Sequence, residues 1–307
     1  MLKHIEEHVL PLVARLNSSI SPYHEKVWIV GDGRSGTNWL SSIINHDGKS
    51  RLFYEPIHPE KVAAMNRLDL FEYQRPEEEN AGLYALIKPV MTGTLSDMRV
   101  NHSNGLKLYS RLLVKDIFAH LLARWTVSRF PTVKLILIMR HPFDVAASKS
   151  QKKNWAWMEE PGELLKQASL VEDHLKPFQG FIKNQRTFFE KQVSIWAIIH
   201  YVWFRQFKEG ECQVVFYENL CRKPEAEASL LGKFIGRTGG NIEEMMRYAA
   251  SSAAKSPAME PSRDNLWPQF SAEELKRGHE ILARFGLDHI YGAQRPPLID
   301  AGLIFKN

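Results

Sequence analysis

The chain has 307 residues, a net charge of +5, and 44% hydrophobic and 24% charged residues. That is the make-up of a soluble globular protein, with length for one large domain or two small ones. The charge favours an acidic ligand, but there is no Lys/Arg block of the kind nucleic-acid tails carry, so nucleic acid is not expected as a partner. Two cysteines, Cys212 and Cys221, are too few for a disulfide scaffold or a zinc cluster and point to a reducing, cytoplasmic compartment. No segment approaches the ~20 apolar residues of a membrane helix. The first residues, MLKHIEEHVLPLVARL, are interrupted by Glu6, Glu7 and Pro11 and lack the apolar core of a signal peptide.

In chain order, residues 3–17 have the apolar spacing of an amphipathic helix. Val27–Val30 reads as a buried strand, followed by a glycine-rich turn and a helix over Thr37–Asn45. Arg51–Tyr54 is a second strand that delivers Glu55-Pro56 at its end. Residues 60–110 look irregular and loop-rich, with RPEEEN and MTGTLSD. Arg111–Val114 is a strand leading to Lys115-Asp116, and a helix is expected near 117–128. VKLILIM, residues 133–139, is apolar without alternation, as in a parallel strand buried on both faces. In RHPFDVAASKS, Pro142 suits a helix start. Residues 160–208 read mostly as helix, interrupted around Pro177 and Gly180. A strand at Gln213–Phe216 ends in Tyr217-Glu218-Asn219, and helices follow at 224–236, 241–250 and 271–285. Strands alternating with helices predict α/β architecture: a single domain over 1–307 with a central parallel sheet flanked by helices. Within it, 1–25 forms an N-terminal helical segment and 26–290 the core.

The turn after the first strand, Gly31-Asp32-Gly33-Arg34-Ser35-Gly36, matches G-x-G-x-x-G, and Glu55 follows where a ribose-binding acid of a dinucleotide fold would stand. An NAD(P)-dependent oxidoreductase is therefore one reading. Gly31 and Gly36 also have Walker spacing. Thr37, however, stands where that motif needs lysine, and Asn38 where it needs a magnesium-binding hydroxyl. The loop suits a phosphate held without a metal, with Arg34 supplying charge.

Arg34-Ser35-Gly36-Thr37-Asn38-Trp39-Leu40 resembles the 5′-phosphosulfate loop of sulfotransferases that use 3′-phosphoadenosine 5′-phosphosulfate (PAPS). LILIMRHPFDVAAS resembles the family's second signature, with Arg140 at a strand end, Ser148 eight residues on, and Pro142 and Asp144 between. VVFYENL is similar to the family's strand ending in YEDL. The resemblance spans roughly residues 26–290 and implies the P-loop-like sulfotransferase fold. The reaction it implies is of the EC 2.8.2 type, from PAPS to adenosine 3′,5′-bisphosphate (PAP), with no metal required.

By the resemblance, Arg34 serves the 5′-phosphosulfate and leaving group. The backbone amides of Ser35, Gly36, Thr37 and Asn38, with the Thr37 hydroxyl, cradle the same group. Trp39 stacks on adenine or is a core aromatic of the helix. Arg140 and Ser148 hold the 3′-phosphate, which a guanidinium fork suits, and Tyr217 approaches the adenine. Lys255 or Arg263, in a basic loop near the C-terminus, completes the 3′-phosphate contacts.

Sulfuryl transfer needs a base for the acceptor and positive charge on the bridging oxygen. FYEP resembles the LYEP of carbohydrate enzymes and implies Glu55 as general base. The small-molecule branch uses a histidine in a K-T-H element, which Lys115-Asp116-Ile117 does not supply. Asp116 and His58 remain rivals. Lys115 lines the acceptor site, assists the leaving group, or is an ordinary surface lysine. Acceptor recognition is expected from residues 60–110 and 150–190. There Trp155 and Trp157 with Lys149, Lys152 and Lys153 would suit a carbohydrate, a phenol or an acidic metabolite, or form a solvated helix face. The acceptor is a hydroxyl, or an amine, of a small molecule or carbohydrate. A non-catalytic nucleotide-binding protein is the further alternative, and nothing in the sequence reads out an oligomeric state.

Overall fold

The computed structural model describes residues 23–151, 158–254 and 267–305. The expected helix at 3–17, the Trp155/Trp157 pair with Lys152 and Lys153, and Lys255 and Arg263 lie outside the described residues.

Five strands form one parallel sheet. They are β1 (Glu25–Val30), β2 (Ser50–Tyr54), β3 (Arg111–Asp116), β4 (Lys134–Met139) and β5 (Gln213–Phe216), in the spatial order β2-β3-β1-β4-β5. All pairings are parallel, with Val30 opposite Asp116 and Val27 opposite Lys134 across the centre. Residues of β1 alternate between two cores: Val27 and Ile29 pack in one, Trp28 and Val30 in the other. Both faces are covered, which is why VWIV in β1 and LILIM in β4 read as unbroken apolar runs.

The helices that matter to the site are α1 (Thr37–Ile44), α2 (Ala81–Thr92), α3 (Met98–Asn101), α4 (Ala123–Arg129), α5 (Pro142–Ser150), α6 (Phe188–Gln206), α7 (Tyr217–Arg222), α8 (Pro224–Ile235), α9 (Gly240–Ala253) and α10 (Ala272–Arg284). Three expectations change. Residues 60–110 contain α2, which Asn80 caps by accepting from Leu83 N–H and which tolerates an internal Pro89. The helix expected over 117–128 is confined to α4. The stretch from 160 to 183 is a series of short 3-10, α and π turns, and the long α6 begins only at Phe188, capped by Thr187.

β1 is the central strand, and the chain leaves it for β2 and β3 on one side and for β4 and β5 on the other. In open α/β sheets ligands bind beside the carboxyl ends of the strands at such a reversal. Every strand here ends in a residue picked out by sequence: Gly31 after β1, Glu55 after β2, Lys115 and Asp116 in β3, Arg140 after β4, and Tyr217 after β5.

Candidate active site

The loop between β1 and α1 needs glycine at two places. A Cβ on Gly31 would lie 2.7 Å from the main-chain oxygen of Ile138, and one on Gly36 would lie 2.5 Å from the Tyr217 ring. Gly36 also holds φ 94° as the N-cap of α1, with no side chain capping the helix. The N–H groups of the first turn of α1 therefore lack intrahelical partners and form an anion cradle. Ser35 within it is fully buried, and its Oγ has no partner among the described residues.

Arg34, at φ 74°, leaves the loop and donates from Nε to Ser148 Oγ at 2.9 Å. Arg140 donates from Nη1 to the Arg34 carbonyl at 3.2 Å, and its guanidinium lies 4.6 Å from the Tyr217 ring centre. Trp39 meets Tyr217 edge-on at 5.6 Å and donates from Nε1 to Ser252 Oγ at 2.8 Å. Arg34, Arg140, Ser148, Trp39 and Tyr217 thus gather around one loop. Burial pushes the Tyr217 phenol up to about 12, so it stays a neutral ring beneath the guanidinium.

Two supports behind this cluster were not read from the sequence. Lys149 is buried, and its ammonium sits 2.9 Å from both oxygens of buried Asp32, tying α5 to the loop. This overturns its expected place among the acceptor-facing lysines. Glu218 is buried in α7 rather than in a strand end. It accepts from His141 N–H at 2.8 Å and from the Tyr291 hydroxyl at 2.9 Å, fixing the turn that carries Arg140.

At the end of β2, Glu55 holds φ 49° and is buried. Lys115, fully buried and 4.1 Å above the Tyr54 ring, donates to Glu55 Oε1 at 2.6 Å. It is not a surface lysine. Arg99, from α3, donates to Oε2 at 2.7 Å. Burial raises the Glu55 carboxyl, but Lys115 and Arg99 outweigh it and hold it below the ordinary carboxylate range.

Asp116 is buried, with Oδ2 accepting from Trp28 Nε1 at 2.9 Å and Oδ1 from Ile57 N–H at 3.0 Å. Burial pushes it up to about 7. His58 is buried against Phe118, and burial followed by the Arg99 charge pushes it down to about 4. The structure roots both in packed surroundings, whereas Glu55 lies between two cations. A groove of about 360 Å³ with mixed polar and apolar walls runs along α1 beside this corner, lined among others by Ser41, Ser42, His46, Leu52, Tyr54 and His102.

A family model for the sulfotransferase domain matches residues 24–276, and the chain belongs to the sulfotransferase family. Its fold is shared with sulfotransferase STF9 from Mycobacterium avium, at 13% identity and a TM-score of 0.51, covering 96% of this chain and 82% of that one. It is also similar to a sulfotransferase from Alicyclobacillus acidocaldarius, at 15% identity and a TM-score of 0.43, covering 87% and 93% of the two chains. A third likeness is to mouse sulfotransferase SULT7A1 complexed with PAP, at 13% identity and a TM-score of 0.45, covering 89% and 88%. No curated protein matches the chain. Among the described residues, no helix is long and apolar enough to cross a membrane.

Proposed function

We propose that the protein moves a sulfuryl group from PAPS to a hydroxyl of a small-molecule or carbohydrate acceptor, leaving PAP. The observation that carries this reading is the gathering of Arg34, Arg140 and Ser148 at the loop, with Lys115 on the adjacent strand and Glu55 one strand further along the same sheet edge. The residues fit such a donor. The glycine cradle and the orphaned Ser35 hydroxyl suit a phosphate, and the Trp39–Tyr217 pair offers an aromatic surface for a base.

In this reading, the Ser35–Asn38 amides and Arg34 bind the 5′-phosphosulfate, while Arg140 and Ser148 bind the 3′-phosphate. Glu55 takes the acceptor's proton. Lys115 keeps the carboxylate ionised and, beside it, supplies positive charge near the leaving oxygen. Asp116 has both oxygens committed and supports the strand ends rather than the chemistry. The α1 groove supports a neutral, hydroxyl-bearing acceptor. Ser41 and Ser42 spend their protons on the carbonyls of Asn38 and Trp39, leaving acceptor oxygens, and no Lys or Arg is among its lining residues.

Calorimetric titration with PAP and with NADH tests the donor, and only PAP is expected to bind. Transfer of labelled sulfate tests the chemistry. Glu55→Gln is expected to cut turnover by ~10²–10⁴-fold while leaving PAP affinity unchanged. NADH binding in place of PAP would return the loop to the oxidoreductase reading, and full turnover in Glu55→Gln would pass the base to Asp116 or His58.

A further inference from the structure

One guanidinium grips both the main chain and the side chain of Glu55. Arg99 Nη1 donates to the Glu55 carbonyl at 3.3 Å, and Nη2 donates to Oε2 at 2.7 Å. On the other side Lys115 holds Oε1 at 2.6 Å. The Lys115 side chain is 1% exposed and that of Arg99 31%, so Oε1 is turned to the protein and Oε2 to the open side. Glu55 meanwhile holds a left-handed backbone that non-glycine residues adopt only against a cost.

Arg99 is delivered by a built bracket. Asp97 caps α3 by accepting from Val100 N–H at 3.0 Å. Asn101 Oδ1 accepts from Nε and Nη2 of buried Arg51 at 3.0 and 2.6 Å, and its Nδ2 donates to the carbonyls of Leu95 and Asp97. Asn104 takes up both the N–H and the carbonyl of Leu52 along the outer edge of β2. The strand that ends in Glu55 and the segment that carries Arg99 are therefore fastened together at three levels.

We propose that Arg99 is a positioning residue for the transfer reaction, fixing the ionised Glu55 carboxylate so that Oε2 meets the acceptor hydroxyl. The inference rests on Glu55 being the general base. In the step it serves, the acceptor's O–H proton passes to Oε2 while the acceptor oxygen bonds to sulfur. The bond from sulfur to the 5′-phosphate oxygen breaks, and its electron pair leaves on that oxygen. Arg99 occupies one lone pair of Oε2 and leaves another for the proton. The charged and titratable groups around the carboxylate are Arg99 from α3, Lys115 and Asp116 from β3, and His58 from the turn after β2. A lysine at position 99 would keep the charge but could not make both bonds in one plane, which separates orientation from electrostatics.

The test uses Arg99→Lys and Arg99→Gln in the full chain, with Glu55→Gln as reference. A carboxyl ¹³C NMR titration, in which the Glu55 resonance is the one lost in Glu55→Gln, reads the clamp without an acceptor. Arg99→Gln is expected to raise the Glu55 midpoint by about one pH unit, and Arg99→Lys by less than half as much. With labelled PAPS and an acceptor selected by wild-type turnover, kcat is expected to fall ~10-fold or more in both variants with little change in acceptor KM. The acidic limb of kcat should move up further in Arg99→Gln than in Arg99→Lys. Wild-type kcat in Arg99→Lys, or an unmoved Glu55 titration in Arg99→Gln, overturns the role of Arg99. If Arg99→Gln does not fold, Arg99→Lys decides alone. Full turnover in Glu55→Gln removes the base itself, and this role with it, whatever the Arg99 variants do.

Discussion

The two halves of the site are held in different ways. The loop after β1 takes its shape from main-chain geometry: left-handed Arg34 and Gly36, close approach at Gly31, and an uncapped helix start. The corner at Glu55 takes its shape from charged side chains that arrive from β3 and α3. The cradle of backbone amides is set by main-chain geometry, with the buried Lys149–Asp32 pair as a brace behind it. The Glu55 corner keeps its arrangement only while Glu55, Lys115 and Arg99 are all charged. On the proposed reading, the donor side rests mainly on main-chain geometry and the acceptor side on side-chain charge.

The sharpest way to break that contrast is the ion pair behind the loop. If main-chain geometry alone held the donor side, losing Lys149 would cost little. Lys149→Met instead leaves Asp32 buried without its partner, and about 3–5 kcal/mol of stability should be lost in chemical denaturation. Adding Asp32→Asn should recover part of it, because the uncompensated charge goes too. A loss below ~1 kcal/mol would show that the loop needs no ionic brace. Next in size is Arg140→Ala, which should weaken PAP binding by about 2–3 kcal/mol through lost charge-assisted bonds. The same calorimetry on Glu55→Gln should show no change, which keeps the two halves thermodynamically separate.

The contrast also governs what a reader of the sequence can see. The loop and the Arg140–Ser148 pair were legible because their residues lie within a few positions of one another and obey local rules. VWIV and VKLILIM were legible because a sheet covered on both faces demands unbroken apolar runs. Arg99 was not legible. Its segment is polar and irregular, Pro89 obscures the helix before it, and its contact with Glu55 spans 44 residues. Lys149 was misplaced for a related reason. A lysine one residue after Ser148 reads as surface until the fold brings buried Asp32, 117 residues away, against it. Glu218 shows the same limit, since its partners His141 and Tyr291 are distant in the chain.

A smaller effect sharpens the comparison from the main-chain side. Gly36→Ala places a Cβ against Tyr217 and forces a non-glycine residue to hold φ 94°. About 1–2 kcal/mol of stability should be lost. PAP affinity should fall with it, because Tyr217 and the first turn of α1 must shift together. Unchanged affinity in that variant would mean that the loop tolerates movement and is not the rigid half.

The smallest effect, the pH dependence of stability, separates the charge-clamped Glu55 from two buried carboxyls, Asp116 in the same corner and Glu218 behind the loop. Glu55 is held below its ordinary value, so its contribution is present above the unfolded carboxyl pKa of about 4.3 and disappears as pH falls through the lower folded value. Asp116 and Glu218 go the other way, since burial pushes each up to about 7 against the N–H and O–H groups they accept from. Their contribution is complete below the unfolded values of about 4 and is lost as pH rises through about 7, because the folded chain then keeps protons that the unfolded chain has released. The melting temperature should therefore decline from about pH 5 to about pH 7.5, and Asp116→Asn and Glu218→Gln should each flatten that decline. Arg99→Gln should act at the acid end instead, removing part of the loss seen below pH ~4. A melting temperature that rises steadily across the neutral range would show that Asp116 and Glu218 are ionised in the fold. Glu55 and the two buried carboxyls would then share one electrostatic response.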